Sequence, residues 1–290
     1  MSKEIIYISA HLGNTIFGKP VVAQLKKELE PRGYTIIEIE KHNNNDWSRD
    51  FLPVKASNGK LVKFIYAPIY LTEAIKWKKT IPDVKQILSD LEIEDYSDSD
   101  LKLDGGAIEV FGDQAIVSDR VLRENIDKFS IDETLAKIKE KLALKRLIVV
   151  PEYPDDFTGH VDGIARFIDV NTVLVNAESP DNEYELNRYK KKMHTNWYYS
   201  FHSVFKNMGI KTETIPYTFY KDEKGKDCLG LYTNFLKLDE LIVMPEYKMP
   251  EDDKASEILQ RLYERPVIRI DSRELAKKGG MINCVTWEKK

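Results

Sequence analysis

A segment that occurs twice constrains the fold of this chain more than any other feature of its sequence. The residues LIVVPEY at 147–153 return as LIVMPEY at 241–247, and an acidic turn follows each copy. Recurrence of a strand-like segment is typical of folds that are built from several similar units. The sequence therefore directs attention to repeated modules rather than to one continuous sheet.

Hairpin-like pairs of strands also recur along the chain. Short runs of β-forming residues are joined by turn signals such as Asn58-Gly59, and a helix-like stretch separates one pair from the next. The pairs begin near five residues, Asp50, Asp104, His160, Asn234 and Cys284. This pattern predicts an α/β protein in which five strand-strand-helix-strand modules surround an axis, a fivefold pseudosymmetric propeller. An ordinary α/β sheet with spaced hairpins is the alternative.

Composition agrees with one folded domain over the whole chain. The 290 residues are 42% hydrophobic and 32% charged, which suits a globular protein with a real core. No stretch rich in Gly, Ser or Pro divides the sequence, so we expect a single domain over residues 1–290. The net charge of -4 gives no bias towards nucleic acid or an anionic membrane.

Cysteine content and the first residues of the sequence predict a cytoplasmic protein. Cys228 and Cys284 are the two cysteines, too few for a disulfide framework at this size. No apolar segment with a cleavage site opens the sequence, and no apolar run approaches the about 20 residues that a membrane span needs. We expect no membrane or nucleic-acid partner, and the oligomeric state stays open.

Cys284 is the candidate nucleophile. It follows Gly279 and Gly280 and is surrounded by β-forming residues. Taken alone it is a packing residue, because free cysteines are usually buried and inert. It becomes a nucleophile only if a base and carboxylates stand in comparable positions elsewhere in the chain.

His160 and Asp162 are candidates for such partner groups. They lie two residues apart in the stretch GHVDG at 159–163, and residues two apart in a strand face the same side. A His-x-Asp pair can also be half of a metal site. We predict no metal, since no second group of ligands with suitable spacing occurs in the sequence.

Asp50 and Asp104 are further acidic candidates at the start of predicted strands. Asp50 stands where a polar loop enters a strand, and Asp104 precedes a double glycine. Each has an ordinary explanation as well. Arg49 and Asp50 could form a surface ion pair, and Asp104 could simply open a tight turn.

Five segments, taken in chain order, resemble the motifs of guanidino-group-modifying enzymes. The similarity is to the branch of agmatine deiminase and bacterial peptidylarginine deiminase, and it covers the chain from about residue 43 onwards. The segments are DWSRDFLP at 46–53, LDGGAIEV at 103–110, GHVD at 159–162, TNF at 233–235 with LIVMP at 241–245, and GGMINCVT at 279–286. Leu52 stands where that branch has Gly, and Asn283 where it has His.

The resemblance implies the same fivefold propeller, or pentein, and hydrolysis of a guanidinium group to ammonia and a ureido product. Cys284 would form a covalent thiouronium, His160 would act as acid and base, and Asp50 and Asp162 would hold the cation. It implies no metal and no organic cofactor. Further substrate-binding candidates are Trp47, Arg49, Asp104, Gly105, Asn234 and Gly280.

Several alternatives remain open at this point. The substrate could be agmatine, free arginine, a peptide with a C-terminal arginine or a smaller guanidine. An amidinotransferase would use the same Cys284, with an amine instead of water resolving the intermediate. A non-catalytic propeller that only binds a guanidino ligand, or an unrelated α/β protein with a buried thiol, would also fit parts of the sequence. The complete set of Asp, His, Asp and Cys favours an active hydrolase.

Overall fold

In the computed structural model, five three-stranded sheets share one topology. Residues 3–73, 75–154, 156–177, 188–217 and 228–289 are described. In each sheet, two antiparallel strands are joined by a third that runs parallel to the middle one. Along the chain, at least one helix lies between the middle strand and the third strand of each sheet. Such a crossover connection is needed because two parallel neighbours start at the same end of the sheet. The predicted fivefold α/β propeller is therefore confirmed.

The strands are short and are numbered in chain order. They are β1 (Ile5–Ser9), β2 (Thr35–Ile39), β3 (Val54–Lys55), β4 (Leu61–Ile65), β5 (Tyr96–Lys102), β6 (Ile108–Phe111), β7 (Gln114–Ser118), β8 (Arg146–Val150), β9 (Ala165–Asp169), β10 (Thr172–Asn176), β11 (Lys211–Ile215), β12 (Leu236–Lys237), β13 (Ile242–Glu246), β14 (Val267–Asp271) and β15 (Trp287–Lys289). The sheets have the strand orders β15-β1-β2, β3-β4-β5, β6-β7-β8, β9-β10-β11 and β12-β13-β14.

The helices either cross between strands or form short turns at the ends of the sheets. They are α1 (Ala10–Asn14), α2 (Lys19–Leu29), α3 (Ser48–Phe51), α4 (Ile69–Thr72), α5 (Ile75–Lys78), α6 (Val84–Asp90), α7 (Arg120–Asn125), α8 (Ile131–Lys141), α9 (Arg188–Asn207), α10 (Glu251–Tyr263), α11 (Arg273–Ala276) and α12 (Ile282–Val285). No helix in the described ranges is both long and apolar enough to cross a membrane.

The crossover helices follow the sequence signals closely. Val21, Val22, Leu25 and Leu29 recur at the spacing of one helix face, and in α2 they are buried in the core that the first sheet shares with β14. A Ser-x-x-Glu capping box opens α8. The aromatic-rich stretch from about 183 to 208 predicts one long helix, which is observed as α9, and residues 183–187 lie outside the described part of the chain.

The repeated segment does not mark equivalent positions in the modules. The copy at 147–153 contains β8, the third strand of its sheet, whereas the copy at 241–247 contains β13, a middle strand. The two strands resemble each other because each pairs in parallel and contacts hydrophobic clusters on both of its faces, which favours runs of Leu, Ile and Val. The spaced hairpins were therefore the sounder reason for predicting five modules.

The first sheet joins the two ends of the described chain. Strand β15 pairs antiparallel with β1, with Lys289 opposite Ile5 and Trp287 opposite Tyr7. The Trp287 indole packs at 5.2 Å from the Tyr7 ring and donates a hydrogen bond of 2.7 Å to the Pro53 carbonyl. This pairing completes the ring of five sheets.

Candidate active site

The segments that precede the five first strands of the hairpins meet at one end of the ring. The carbonyl of Gly106 accepts hydrogen bonds from the amides of Val161 and Asp162, and the carbonyl of Asn234 accepts one from Asn283. Because each module enters its first strand from the same end, equivalent positions of different modules converge there. The candidate residues of the sequence lie in these segments.

His160 lies between two carboxylates. Its Nδ1 is 3.6 Å from Asp50 Oδ1, and its Nε2 is 3.3 Å from Asp104 Oδ2. The Gly106 amide donates to Asp50 Oδ1 at 3.1 Å, and the Tyr70 hydroxyl donates to Asp104 Oδ2 at 2.9 Å. The imidazole is 5% exposed, so these contacts fix its position out of bulk water.

The charges in this cluster determine the protonation states of His160 and Asp50. Burial by itself would lower the pKa of His160, but the charges of Asp50, Asp104 and Asp162 outweigh it and raise that pKa to about 10. Burial raises the pKa of Asp50 to about 7, against the opposing charge of His160. His160 is therefore a cation at neutral pH, and Asp50 titrates in that range.

Cys284 faces the same point from the other side. Its Sγ lies 3.3 Å from Asn234 Oδ1 and 3.6 Å from Asp162 Oδ2. Burial raises the pKa of the thiol well above its ordinary value, and the negative charges of Asp162 and Asp50 raise it further. In the free protein the thiol is therefore protonated, and a cation placed beside these carboxylates would favour the thiolate.

The local structure around the thiol differs from the expected strand. Cys284 lies in the helical turn α12, and the strand begins at Trp287. The amides of Asn283 and Cys284 bond to the main-chain and side-chain oxygens of Asn234, at 3.2 and 3.3 Å. Contacts with another module therefore override the strand preference of the flanking residues. Asn234, a predicted substrate-binding residue, thus contacts the segment of the candidate nucleophile.

The two other candidate segments are also turns rather than strands. Asp50 lies in the short helix α3, and His160 and Asp162 lie in a turn before β9. The argument that His160 and Asp162 share one face of a strand was therefore wrong. They converge because the turn places Asp162 beside Cys284 and His160 beside Asp50.

Asn283 makes a contact in the site that the sequence analysis did not predict. Its Nδ2 donates at 2.8 Å to Asp162 Oδ2, the oxygen that also faces the thiol. Both side chains are buried. The amide therefore holds Asp162 in place, at the position where the resembling branch has His. That departure from the motif was the available signal.

Tyr70 was not singled out either. It lies in α4, its ring packs edge-on against Phe157 at 5.5 Å and against His160 at 6.5 Å, and its hydroxyl holds Asp104. Asp104 is thus a partner of the histidine. The sequence carries no periodic signal that would connect α4 with the strand entry at Asp104.

Arg49 does not join the carboxylate cluster. Its guanidinium forms an ion pair with Glu288, and its Nε donates to the Asn283 carbonyl at 3.4 Å. Asp50, its neighbour in sequence, is 6% exposed and faces His160. The ordinary explanation of a surface Arg49–Asp50 pair is therefore wrong. Arg49 instead connects the Asn283 main chain with Glu288 of β15.

Two of the predicted glycines allow segments to approach closely. A Cβ on Gly105 would lie 2.0 Å from the Arg49 carbonyl oxygen, and one on Gly280 would lie 2.4 Å from the Trp47 ring. Both distances are shorter than side chains tolerate. Gly105 and Gly280 thus position α3 against its neighbours, and Trp47 packs over Gly280.

The charges at this point suit a cationic ligand. Three carboxylates, from Asp50, Asp104 and Asp162, face one imidazolium and one buried thiol. The excess of negative charge in a closed site favours a positively charged ligand. In the described ranges, no three His, Cys, Asp or Glu side chains are grouped so that they could hold a metal ion.

Comparisons with known proteins give a consistent result. The family model described as Porphyromonas-type peptidyl-arginine deiminase matches residues 9–289. A putative agmatine deiminase 2 of Listeria monocytogenes is 27% identical, over 90% of this chain and 78% of its own length. Among solved structures, substrate-bound agmatine deiminase of C. jejuni has a TM-score of 0.75 at 18% identity, with 99% and 93% of the two chains covered. The putative arginine deiminase of Porphyromonas gingivalis gives 0.76 at 20% identity, with 99% and 96% covered.

Proposed function

We propose a substrate and a mechanism for this chain from the premise that it belongs to the Porphyromonas-type peptidyl-arginine deiminase family and is a guanidino-group hydrolase. The substrate is a small guanidino compound, and agmatine is the first candidate because several relatives are named agmatine deiminases. The convergence of the Cys284 thiol with His160, Asp50 and Asp162 at one buried point carries the proposal.

Binding depends on two carboxylates. Asp50 and Asp162 hold opposite edges of the guanidinium through charge-assisted hydrogen bonds, which are the strong ones in proteins. Both side chains are buried, so the bound cation is removed from water together with them. Burial raises the pKa of the free thiol and the charges of Asp162 and Asp50 raise it further, and the positive charge of the bound cation compensates those charges.

The first chemical step forms a carbon–sulfur bond. The bound cation favours loss of the Cys284 thiol proton to solvent. The resulting thiolate attacks the central carbon of the guanidinium and gives a tetrahedral adduct. Protonated His160, whose pKa of about 10 keeps it charged, donates a proton to the departing nitrogen. The carbon–nitrogen bond breaks, ammonia leaves, and a thiouronium remains on Cys284.

The second step consumes water. His160, now neutral, takes a proton from a water molecule that attacks the thiouronium carbon. The carbon–sulfur bond breaks, the hydroxyl proton passes to the departing sulfur, and the ureido product keeps the new oxygen. Asp104 and Asp50 hold the imidazole in place through both steps by their contacts with its two nitrogens.

An ammonia-release screen tests the proposed function. Agmatine, arginine, a peptide with a C-terminal arginine and a smaller guanidine are each offered to the protein, with Cys284→Ala as the blank. We expect ammonia release with agmatine, together with one equivalent of ureido product. Release of ammonia from arginine or the peptide alone would refute the substrate, and the absence of release from every compound would refute the activity.

Substrate capture is expected to weaken in mild acid. Asp50, with a pKa raised to about 7, carries its negative charge only above that pH. Below it, kcat/KM should fall by about tenfold per pH unit, since the protonated carboxyl no longer pairs with the cation. In Asp50→Asn this acidic limb should disappear at a uniformly low kcat/KM.

A surface variant controls the pH experiment. Asp113→Asn removes an exposed carboxylate that pairs with Lys145 and should keep the profile of the unmodified protein. An acidic limb that persists unchanged in Asp50→Asn would show that another group titrates.

Asn283 is expected to act as a positioning residue for Asp162. Asn283→Leu keeps the size of the side chain but removes the 2.8 Å donor. A hydrogen bond to a buried charge contributes about 1.5–3 kcal/mol, so kcat/KM should fall roughly 10- to 100-fold. Asn283→His, which also carries an N–H donor, should restore most of the rate. Equal losses in both variants would indicate a packing role only.

A further inference from the structure

A cavity of about 350 Å³ lies on the axis at the other end of the ring. All five hairpins line it with residues of their first strands: Val54 of β3, Glu109 of β6, Arg166 of β9, Lys237 of β12 and Glu288 of β15. The thiol and its partners precede these strands, whereas the cavity also reaches the hairpin-turn residues Gly112 and Asp239. The cavity therefore opens away from the reactive cluster.

A thin wall separates this axial cavity from the reactive cluster. In three places one residue lines the cavity and the next belongs to the cluster: Arg49–Asp50, Gly105–Gly106 and Asn283–Cys284. The two sites are thus neighbours, and Asn283 of the shared wall also contacts Asp162 of the cluster.

Two of the deep cations in the axial cavity already have carboxylate partners. Arg166 Nε lies 3.1 Å from Glu109 Oε2, and Arg49 is paired with Glu288. At the rim, Glu4 accepts a hydrogen bond of 2.8 Å from the Asp239 amide. The deep acidic groups of the lining are therefore engaged.

Lys237 is different. Within the described ranges no carboxylate lies within ion-pair distance of its ammonium, which instead lies over the rings of Phe111 at 5.0 Å and Tyr263 at 5.7 Å. Burial lowers the pKa of Lys237, against the opposing charge of Glu109, and the charge of Arg166 lowers it further. A partly buried ammonium that has no paired carboxylate is unfavourable, and a bound anion would supply its partner.

We infer that the axial cavity is a binding site for a small oxyanion, a carboxylate or a phosphate, whose charge lies against the Lys237 ammonium. The volume has room for a compound of roughly ten non-hydrogen atoms, and it falls within the usual range of ligand pockets. Aromatic rings beside the ammonium leave its hydrogens free to donate to the anion, because a ring face engages the charge without taking a hydrogen bond.

Calorimetric titration with inorganic phosphate and with malonate tests the site, at constant ionic strength set with chloride. We expect saturable binding of at least one of the two at one site per chain. Phosphate alone would identify the phosphate class, and malonate alone the carboxylate class. Heats that never saturate with either anion would refute the site.

Lys237→Met is the decisive variant. The substitution keeps an unbranched apolar stem against Phe111 and Tyr263 and removes the charge, so the affinity for the anion should fall at least tenfold. Lys55→Met removes an exposed cation at the rim of the same cavity and should bind as the unmodified protein does. Undiminished binding in Lys237→Met, with an unchanged melting temperature, would overturn the inference.

Activity provides an independent check on folding. Lys237 touches none of the groups around the thiol, so ammonia release by Lys237→Met should equal that of the unmodified protein. The anion titration does not depend on turnover. Failure of the proposed function and failure of the oxyanion site can therefore be distinguished.

Discussion

Cys284→Ala is expected to abolish ammonia release while the protein still binds its guanidino substrate. Turnover should fall by roughly three to six orders of magnitude, as removal of a covalent nucleophile does in other enzymes. Binding should persist because Asp50 and Asp162 are untouched, and the loss of a thiol that has a raised pKa removes no charge from the free site. Single-turnover ammonia assays and calorimetric titration with agmatine measure the two effects.

Cys228 supplies the matched control. It is the other cysteine of the chain and is partly buried, and Cys228→Ala should keep full activity. A haloacetamidine should modify Cys284 but not Cys228 in the unmodified protein. Residual turnover in Cys284→Ala above the blank, or modification confined to Cys228, would assign the nucleophile elsewhere.

Gly106→Ala is expected to cost at least about 100-fold in kcat/KM, the scale on which a displacement of about 1 Å affects catalysis. A Cβ at this position would lie 2.4 Å from His160 Nδ1 and 2.8 Å from Asp50 Oδ1. Neither group can retreat easily, because Asp104 holds the far side of the imidazole. The proton donor and one carboxylate of the clamp would move together, so kcat and KM should both change.

Gly163→Ala tests whether any new methyl group near the site has this effect. Its Cβ would meet the flexible Leu231 side chain at 3.3 Å and no reactive group. We expect activity within a few-fold of the unmodified protein and a similar melting temperature. Comparable losses in the two variants would mean that Gly106→Ala acts through general destabilisation.

The modular fold was predictable because each module changes composition in the same way. In each module a polar segment precedes the first strand of the hairpin, and β-forming residues follow it. These first strands begin at Val54, Ile108, Ala165, Leu236 and Trp287. The doubled segment at 147–153 and 241–247 was misleading, since burial of parallel strands selects similar residues at different positions of the module.

The convergence of the thiol with its partners was also within reach of the sequence. Cys284, His160, Asp162 and Asp50 all stand just before a first strand, and a ring of like modules brings such positions together. Their backbone conformation was not predictable. The residues flanking Cys284 favour a strand, but the hydrogen bonds that this segment donates to oxygens of Asn234 in another module stabilise a helical turn instead.

Contacts between elements that are far apart in the sequence could not be predicted from local sequence patterns. Tyr70 reaches Asp104 from a short helix, and Arg49 turns to Glu288 in the closing strand. Neither pairing has a spacing or a motif that a single sequence reveals. Such positioning residues depend on how modules pack, which propensity does not specify.

The pairing of β15 with β1 has a consequence for biosynthesis. The ribosome delivers β1 and β2 first and β15 almost 250 residues after β2, so the first sheet keeps an open edge beside Tyr7 while the other four can assemble. The thiol emerges in the same segment, three residues ahead of Trp287. A nascent chain that has not reached this segment therefore carries the carboxylates and the histidine without the candidate nucleophile, so closure of the ring of sheets and completion of the candidate site depend on one and the same segment.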